Sequence, residues 1–145
     1  MSDVLAARSV WRFVWGGVLA AAIAVAGNLW WHDAFTRLTG HARPEVITTE
    51  AIIGATAAAV LLAAGIYLLL SRAFVIATPL HIVGSIAVAA ATSVAPMTPV
   101  MPDGTATPEH FALLAIPMHL WAGVAAAVVI PLVVHAGLPR RPERP

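Results

Sequence analysis

The chain contains no cysteine and no lysine. Without cysteine there is no disulfide framework and no thiolate metal site. Charge of either sign is scarce: 10% of the 145 residues are charged, against about 25% in ordinary soluble domains. The net charge of +1 leaves no basic footprint for nucleic acid. What is present instead is oil-soluble surface, because 60% of the residues are hydrophobic. These residues gather in four long blocks, which points to an all-α integral membrane protein.

A helix crosses ~30 Å of hydrocarbon with about 20 apolar residues, each rising 1.5 Å. The blocks run from Phe13 to Trp31, Ala51 to Leu70, Leu80 to Ala95 and Phe111 to Val134, and none contains Asp, Glu, Lys or Arg. The third reaches only about 24 Å, so its span must run from Thr78 to about Met97 or kink past Pro96. The expected spans are therefore about 13–31, 51–70, 78–97 and 110–135. They form a single four-helix transmembrane domain over residues 13–137, with tails at 1–12 and 138–145.

Boundary residues carry helix-start chemistry. In Thr78-Pro79 and Thr107-Pro108 the threonine is placed to cap and the proline to open a helix. Glu50 and Glu109 fall in expected first turns, where the helix dipole favours negative charge. Gly137 and Pro139 are an expected stop signal. Trp11, Trp15, Trp30 and Trp31 bracket the first block as an interfacial aromatic belt would. Arg8, Arg12, Arg72, Arg140, Arg141 and Arg144 fall on one side of the membrane, while Arg37 and Arg43 fall on the other. The positive-inside rule then predicts cytoplasmic N- and C-termini and up-down antiparallel neighbours. A competing reading takes the start as a signal peptide cut after Ala24-Val25-Ala26. The apolar run continues through Leu29, Trp30 and Trp31, which suits a retained anchor better.

The first loop, His32 to Thr49, offers Ala34, Phe35 and Leu38 for a short interfacial helical turn ended by Gly40. The third loop holds Pro96, Pro99, Pro102, Pro108 and Asp103-Gly104, and reads as a stiff turn. The Arg- and Pro-rich tail is placed to touch anionic lipid. Small residues, among them Gly16, Gly17, Gly54, Gly65, Gly84 and Gly123, predict close helix packing.

An intramembrane polar residue is costly, so it is where function is sought. Asn28, Thr56, Thr92, Ser93 and His119 come from all four blocks and lie in the same half of the bilayer. His119 lies deepest, roughly 12 Å along its helix from Phe111. Small neighbours at Ala115, Ala122 and Gly123 predict that it packs into the bundle, towards Asn28 or Thr56. The plainer role is a neutral histidine bonding across helices; the sharper ones are proton-linked transport or ligand binding. Two further pairs, His81 with His135 and His32 with His110, sit at matched depths where a haem clamp is conceivable, although solvated interfacial histidines are the commoner case. No HExxH, no histidine pair four residues apart and no carboxylate cluster occurs, and no intramembrane acid orients His119. The expectation is a protein that is not an enzyme, with no metal site and no cofactor.

The stretch Leu113-Leu114-Ala115-Ile116-Pro117-Met118-His119-Leu120, followed by Ala122-Gly123 and Val129-Ile130-Pro131, resembles the last helix of a family of small actinobacterial four-helix membrane proteins of unknown function. Ser93-Val94-Ala95-Pro96 is similar to that family's penultimate helix. The resemblance implies a four-span fold and draws attention to His119, and it brings no activity with it. Three functions are thus expected in order. The first is a structural or partner-binding role in a bacterial plasma membrane, with the lipid bilayer, a second copy or another membrane protein as partner. The second is carriage of a small or hydrophobic solute at the His119 cluster. The third is haem-based redox chemistry.

Overall fold

The computed structural model describes residues 2–101 and 103–136, with side chains from Val10 onward. The expected Arg/Pro tail (138–145), the stop signal at Gly137 and Pro139, and Pro102 lie outside the described residues. Within them stand four α-helices: α1 (Ser2–Thr39), α2 (Thr49–Ala73), α3 (Ala77–Thr92) and α4 (Phe111–His135). All four are long and apolar enough to cross a membrane, α3 by joining the 3-10 turn Ala95–Met97 into a span of Ala77–Met97. The third span therefore does run past Pro96, which opens that turn and is buried.

The helices follow one another around a ring. α1 touches α2 and α4, α3 touches α2 and α4, α2 also reaches α4, and α1 and α3 do not meet. The neighbours are antiparallel, as paired depths show: Gly16 of α1 lies against Ile130 of α4, and Gly17 against Ala64 of α2. One end of this four-helix bundle carries the short α2–α3 connection and is called the hairpin end. The other carries the two longer connections and is called the loop end.

α1 extends beyond the expected span. His32 to Thr39 is not a loop with an interfacial turn; it is two further turns of the same helix. Ala34 and Phe35 explain this, because they are buried, Phe35 against a cluster of Ile52, Leu114 and Met118. Gly40 then ends the helix at φ +75°, a left-handed position that glycine takes without strain, and its N–H donates to the Thr36 carbonyl.

The helix starts correct two expectations. Thr78 is inside α3, which is preceded by Ile76 with no side-chain cap. Thr107 lies well before α4, whose N-cap is His110 in the left-handed region at φ 60°, so Glu109 is not in a first turn. Both threonines spend their hydroxyls on other chain segments: Thr107 Oγ1 donates to the Thr98 carbonyl at 2.6 Å, and Thr78 joins a polar cluster described below. At α2 the expected chemistry holds. Glu50 is in the first turn, and the cap is Thr48, whose Oγ1 accepts from Ala51 N at 3.2 Å. The third loop closes as a small hairpin around Gly104 (φ +85°), with Val100 bridged to Ala106. Two hydrogen bonds from Thr105 hold the Asp103 carboxyl below the usual carboxylate range.

Core packing uses small residues between α1, α2 and α4: Ala20 and Ala24 are fully buried, beside Val60, Ala64, Ala125 and Ile130. Where backbones come closest, glycine stands. A Cβ on Gly123 would overlap Ala89 of α3, and one on Gly27 would overlap the Trp121 indole. In lipid such close approach supplies the packing attraction that water would otherwise provide through hydrophobic burial. The tryptophans divide. Trp11, Trp15 and Trp30 are exposed to the surroundings, while Trp31 turns inward and donates to the Leu114 carbonyl at 3.0 Å.

Candidate functional site

Of the five polar residues singled out in the sequence, the structure joins two by a hydrogen bond. Asn28 Nδ2 donates to Thr56 Oγ1 at 3.0 Å, and both residues are buried between α1 and α2. Asn28 Oδ1 is buried with no partner. Thr92 and Ser93 serve the end of their own helix instead. Thr92 Oγ1 donates to the Val88 and Ala89 carbonyls, and Ser93 Oγ to Ala89 at 2.7 Å. Serine and threonine hydroxyls on a helix commonly bond back to the carbonyl three or four residues earlier, as a second donor beside the amide.

His119 is half-buried and makes no hydrogen bond to Asn28 or Thr56. It does lie on a packed side of α4, one turn from Gly123, but that side meets α3 at Ser85 and Ala89. At this depth the α1 side of α4 is filled by Leu114, Met118 and Trp121, whose indole donates to the Ile23 carbonyl at 3.3 Å.

The richest polar constellation lies at the hairpin end, where the sequence reading paired His81 with His135 as interfacial histidines, commonly solvated or conceivably clamping a haem. His81 is 3% exposed, and its Nε2 is 3.1 Å from the Ala126 carbonyl of α4. A carbonyl only accepts, so that nitrogen carries the proton. The Tyr67 ring stacks on His81 at 4.4 Å and meets Phe13 edge-on at 5.2 Å. The Tyr67 hydroxyl is 2.7 Å from Thr78 Oγ1 and 3.1 Å from His135 Nε2, and Thr78 is also 3.1 Å from that nitrogen. Four side chains from α2, α3 and α4 thus form one network. A signal for it existed in the sequence. Tyr67 stands a little under two turns before the end of α2, Thr78 in the first turn of α3 and His81 in its second, so an antiparallel hairpin brings them to similar depth.

A cavity of about 370 Å³ opens beside this network. Tyr67, Ser71, Arg72, Thr78 and His135 give it polar walls, and Phe13 and Val134 give it apolar ones. Arg12 marks its rim by donating to the Val134 carbonyl at 3.2 Å. Among the described residues no carboxylate lines it.

The paired histidines do not face each other across an open gap. His81 and His135 both have Nε2 engaged, with the Tyr67 side chain in contact with each. At the loop end His32 Nδ1 faces Arg43 at 3.3 Å, so Nδ1 accepts and Nε2 donates to the Ile47 carbonyl at 3.1 Å. His110 stacks on His41 at 3.7 Å. These contacts fasten the first connection to α1 and α4.

No protein-family model matches the chain, and no curated protein or solved structure is detectably similar to it.

Proposed function

We propose that this protein is a small non-enzymatic component of a bacterial plasma membrane that works by lateral association, with a second copy or with another transmembrane helix. One observation carries the reading: Gly54 and Gly65 of α2 and Gly84 of α3 have nothing within 4 Å of where a Cβ would stand. Gly54 and Gly65 are about three turns apart and share a face. That face is opposite Ile52, Thr56, Val60, Ala64 and Tyr67, the buried line of α2. Glycine weakens a helix and is compensated where another backbone comes close. Inside this bundle Gly16 and Gly123 meet a neighbouring backbone, while Gly17 and Gly27 make room for side chains of α2 and α4. The glycines on the outward surface gain such a neighbour only when a further helix docks there.

The arginine distribution places both termini in the cytoplasm under this reading. Kinship with the actinobacterial family is likewise proposed, on the Leu113–Leu120 segment. The carrier alternative called for His119 beside Asn28 and Thr56, and the hydrogen bonding supports only the Asn28–Thr56 pair.

The test is energy transfer between labelled copies in liposomes, combined with cross-linking in native membranes. Gly54→Leu with Gly65→Leu should abolish association while helix content stays intact. Undiminished association, or a wild-type chain that is monomeric and uncross-linked in both settings, would remove the proposal.

A further inference from the structure

A cavity of mixed polar and apolar walls and an apolar groove meet at one residue. The polar cavity at the hairpin end is lined in part by His135. A second space of about 510 Å³ runs along the outer surface between α3 and α4 and is also lined by His135. Its other walls are apolar, among them Ile82, Val128, Pro131 and Leu132. Pro131 and Leu132 sit in the last turns of α4, so the groove begins at the membrane edge and leads into the hydrocarbon.

From this juxtaposition we infer that the hairpin end binds one anionic phospholipid, its phosphate in the polar cavity and an acyl chain in the adjoining groove.

Charge supports the assignment first. Arg72 closes α2 and lines the cavity, and among the described residues it makes no ion pair. His135 contributes a second nitrogen, because only Nε2 is engaged by Tyr67 and Thr78. Thr78 adds a hydroxyl, Ser71 Oγ gives its proton to the Leu68 carbonyl at 2.7 Å, and among the described residues no carboxylate lines the cavity. A phosphodiester offers several acceptor oxygens, and this wall offers donors from three helices. An arginine matches such oxygens with a planar fork of N–H groups.

Depth supports it next. The connection between α2 and α3 is only a few residues long, so the cavity lies at the membrane surface, level with headgroups. Basic pockets between transmembrane helices at that level attract anionic headgroups by about 1 kcal/mol per cation.

The groove decides between a lipid and a free phosphate. A soluble anion has no use for Ile82, Val128 and Leu132 in line with its site, whereas an acyl chain does. The inference is independent of lateral association, which uses the outer face of α2.

Native mass spectrometry of the full chain in detergent, with equal phosphatidylglycerol and phosphatidylcholine, tests it. One retained phosphatidylglycerol is expected, favoured at least about fivefold over the neutral lipid. Arg72→Gln with His135→Gln should bring that ratio to about one, while Arg37→Gln, at the other end of the bundle, leaves it unchanged. Val128→Trp fills the groove and leaves the donors in place, so it should lower phosphatidylglycerol retention by itself. Circular dichroism and size-exclusion profiles matching wild type confirm that each variant folds. Equal retention of the two lipids by wild type overturns the inference, as does a preference that survives the double substitution. Displacement of the lipid by an equal concentration of glycerol phosphate overturns it in favour of a free-phosphate site.

Discussion

Glycine does opposite things on the two sides of this bundle. In the seams around α4, Gly27 and Gly123 are spaces already occupied, one by an indole and the other by the Ala89 methyl of a neighbouring helix. On the outward surface Gly54, Gly65 and Gly84 are spaces with nothing in them. The residue is the same and the helices are equally apolar, so composition alone does not tell the two apart. The difference lies in which side of a helix meets protein. It teaches that a small residue in a membrane helix marks an approach, either one made within the chain or one left available.

Substitutions can break or sharpen this contrast. Gly123→Ala should cost most, because its methyl overlaps Ala89 and comes within 3.2 Å of the Ser85 carbonyl, so two backbones must part. A loss of about 2–3 kcal/mol is expected from overpacking, read from reversible unfolding in mixed micelles. Gly17→Ala should cost less, about 1–2 kcal/mol, since its methyl meets only the Ala64 Cβ at 2.8 Å and side-chain atoms beyond. Thr56→Val, on the inner side of α2, removes the one partner that the Asn28 side chain has among the described residues. Intramembrane pairs of this kind are worth about 0.6–1.7 kcal/mol, and the same unfolding assay should return a value in that range. Gly54→Ala and Gly65→Ala should change monomer stability least, by less than about 0.5 kcal/mol. If the outward glycines proved as sensitive as Gly123 in dilute micelles, the contrast would fail.

Four spans, the break at Gly40 and the turn at Asp103-Gly104 were legible because each depends on local chemistry: apolar length, a left-handed glycine, a short polar turn. The continuation of α1 to Thr39 was not, since it depends on Phe35 finding Ile52 and Leu114 far along the chain. Thr78 and Thr107 misled for the same reason. Each has the right neighbours for a cap, and each is claimed by a more distant partner. His119 was expected to turn towards Asn28 or Thr56, and the hydrogen bonding joins only those two. Which helix His119 meets depends on where Trp121 and Met118 go, and a single helix pattern does not contain that. The cluster of Tyr67, Thr78, His81 and His135 was passed over because histidines near a membrane edge are usually hydrated. Only the stacking of Tyr67 on His81 removes one of them from water.

Pro117 and Pro131 interrupt the amide ladder of α4 and free the carbonyls of Leu113 and Ala127. The adjacent carbonyls, Leu114 and Ala126, take hydrogen bonds from Trp31 of α1 and His81 of α3. α4 is thereby stitched to the first and the third helices, which among the described residues do not touch each other. Without α4 the Trp31 indole and the His81 imidazole would lose these acceptors, and no contact would link the first and third helices. α4 is therefore what closes the ring, and α1 to α3 by themselves lack both of these cross-links.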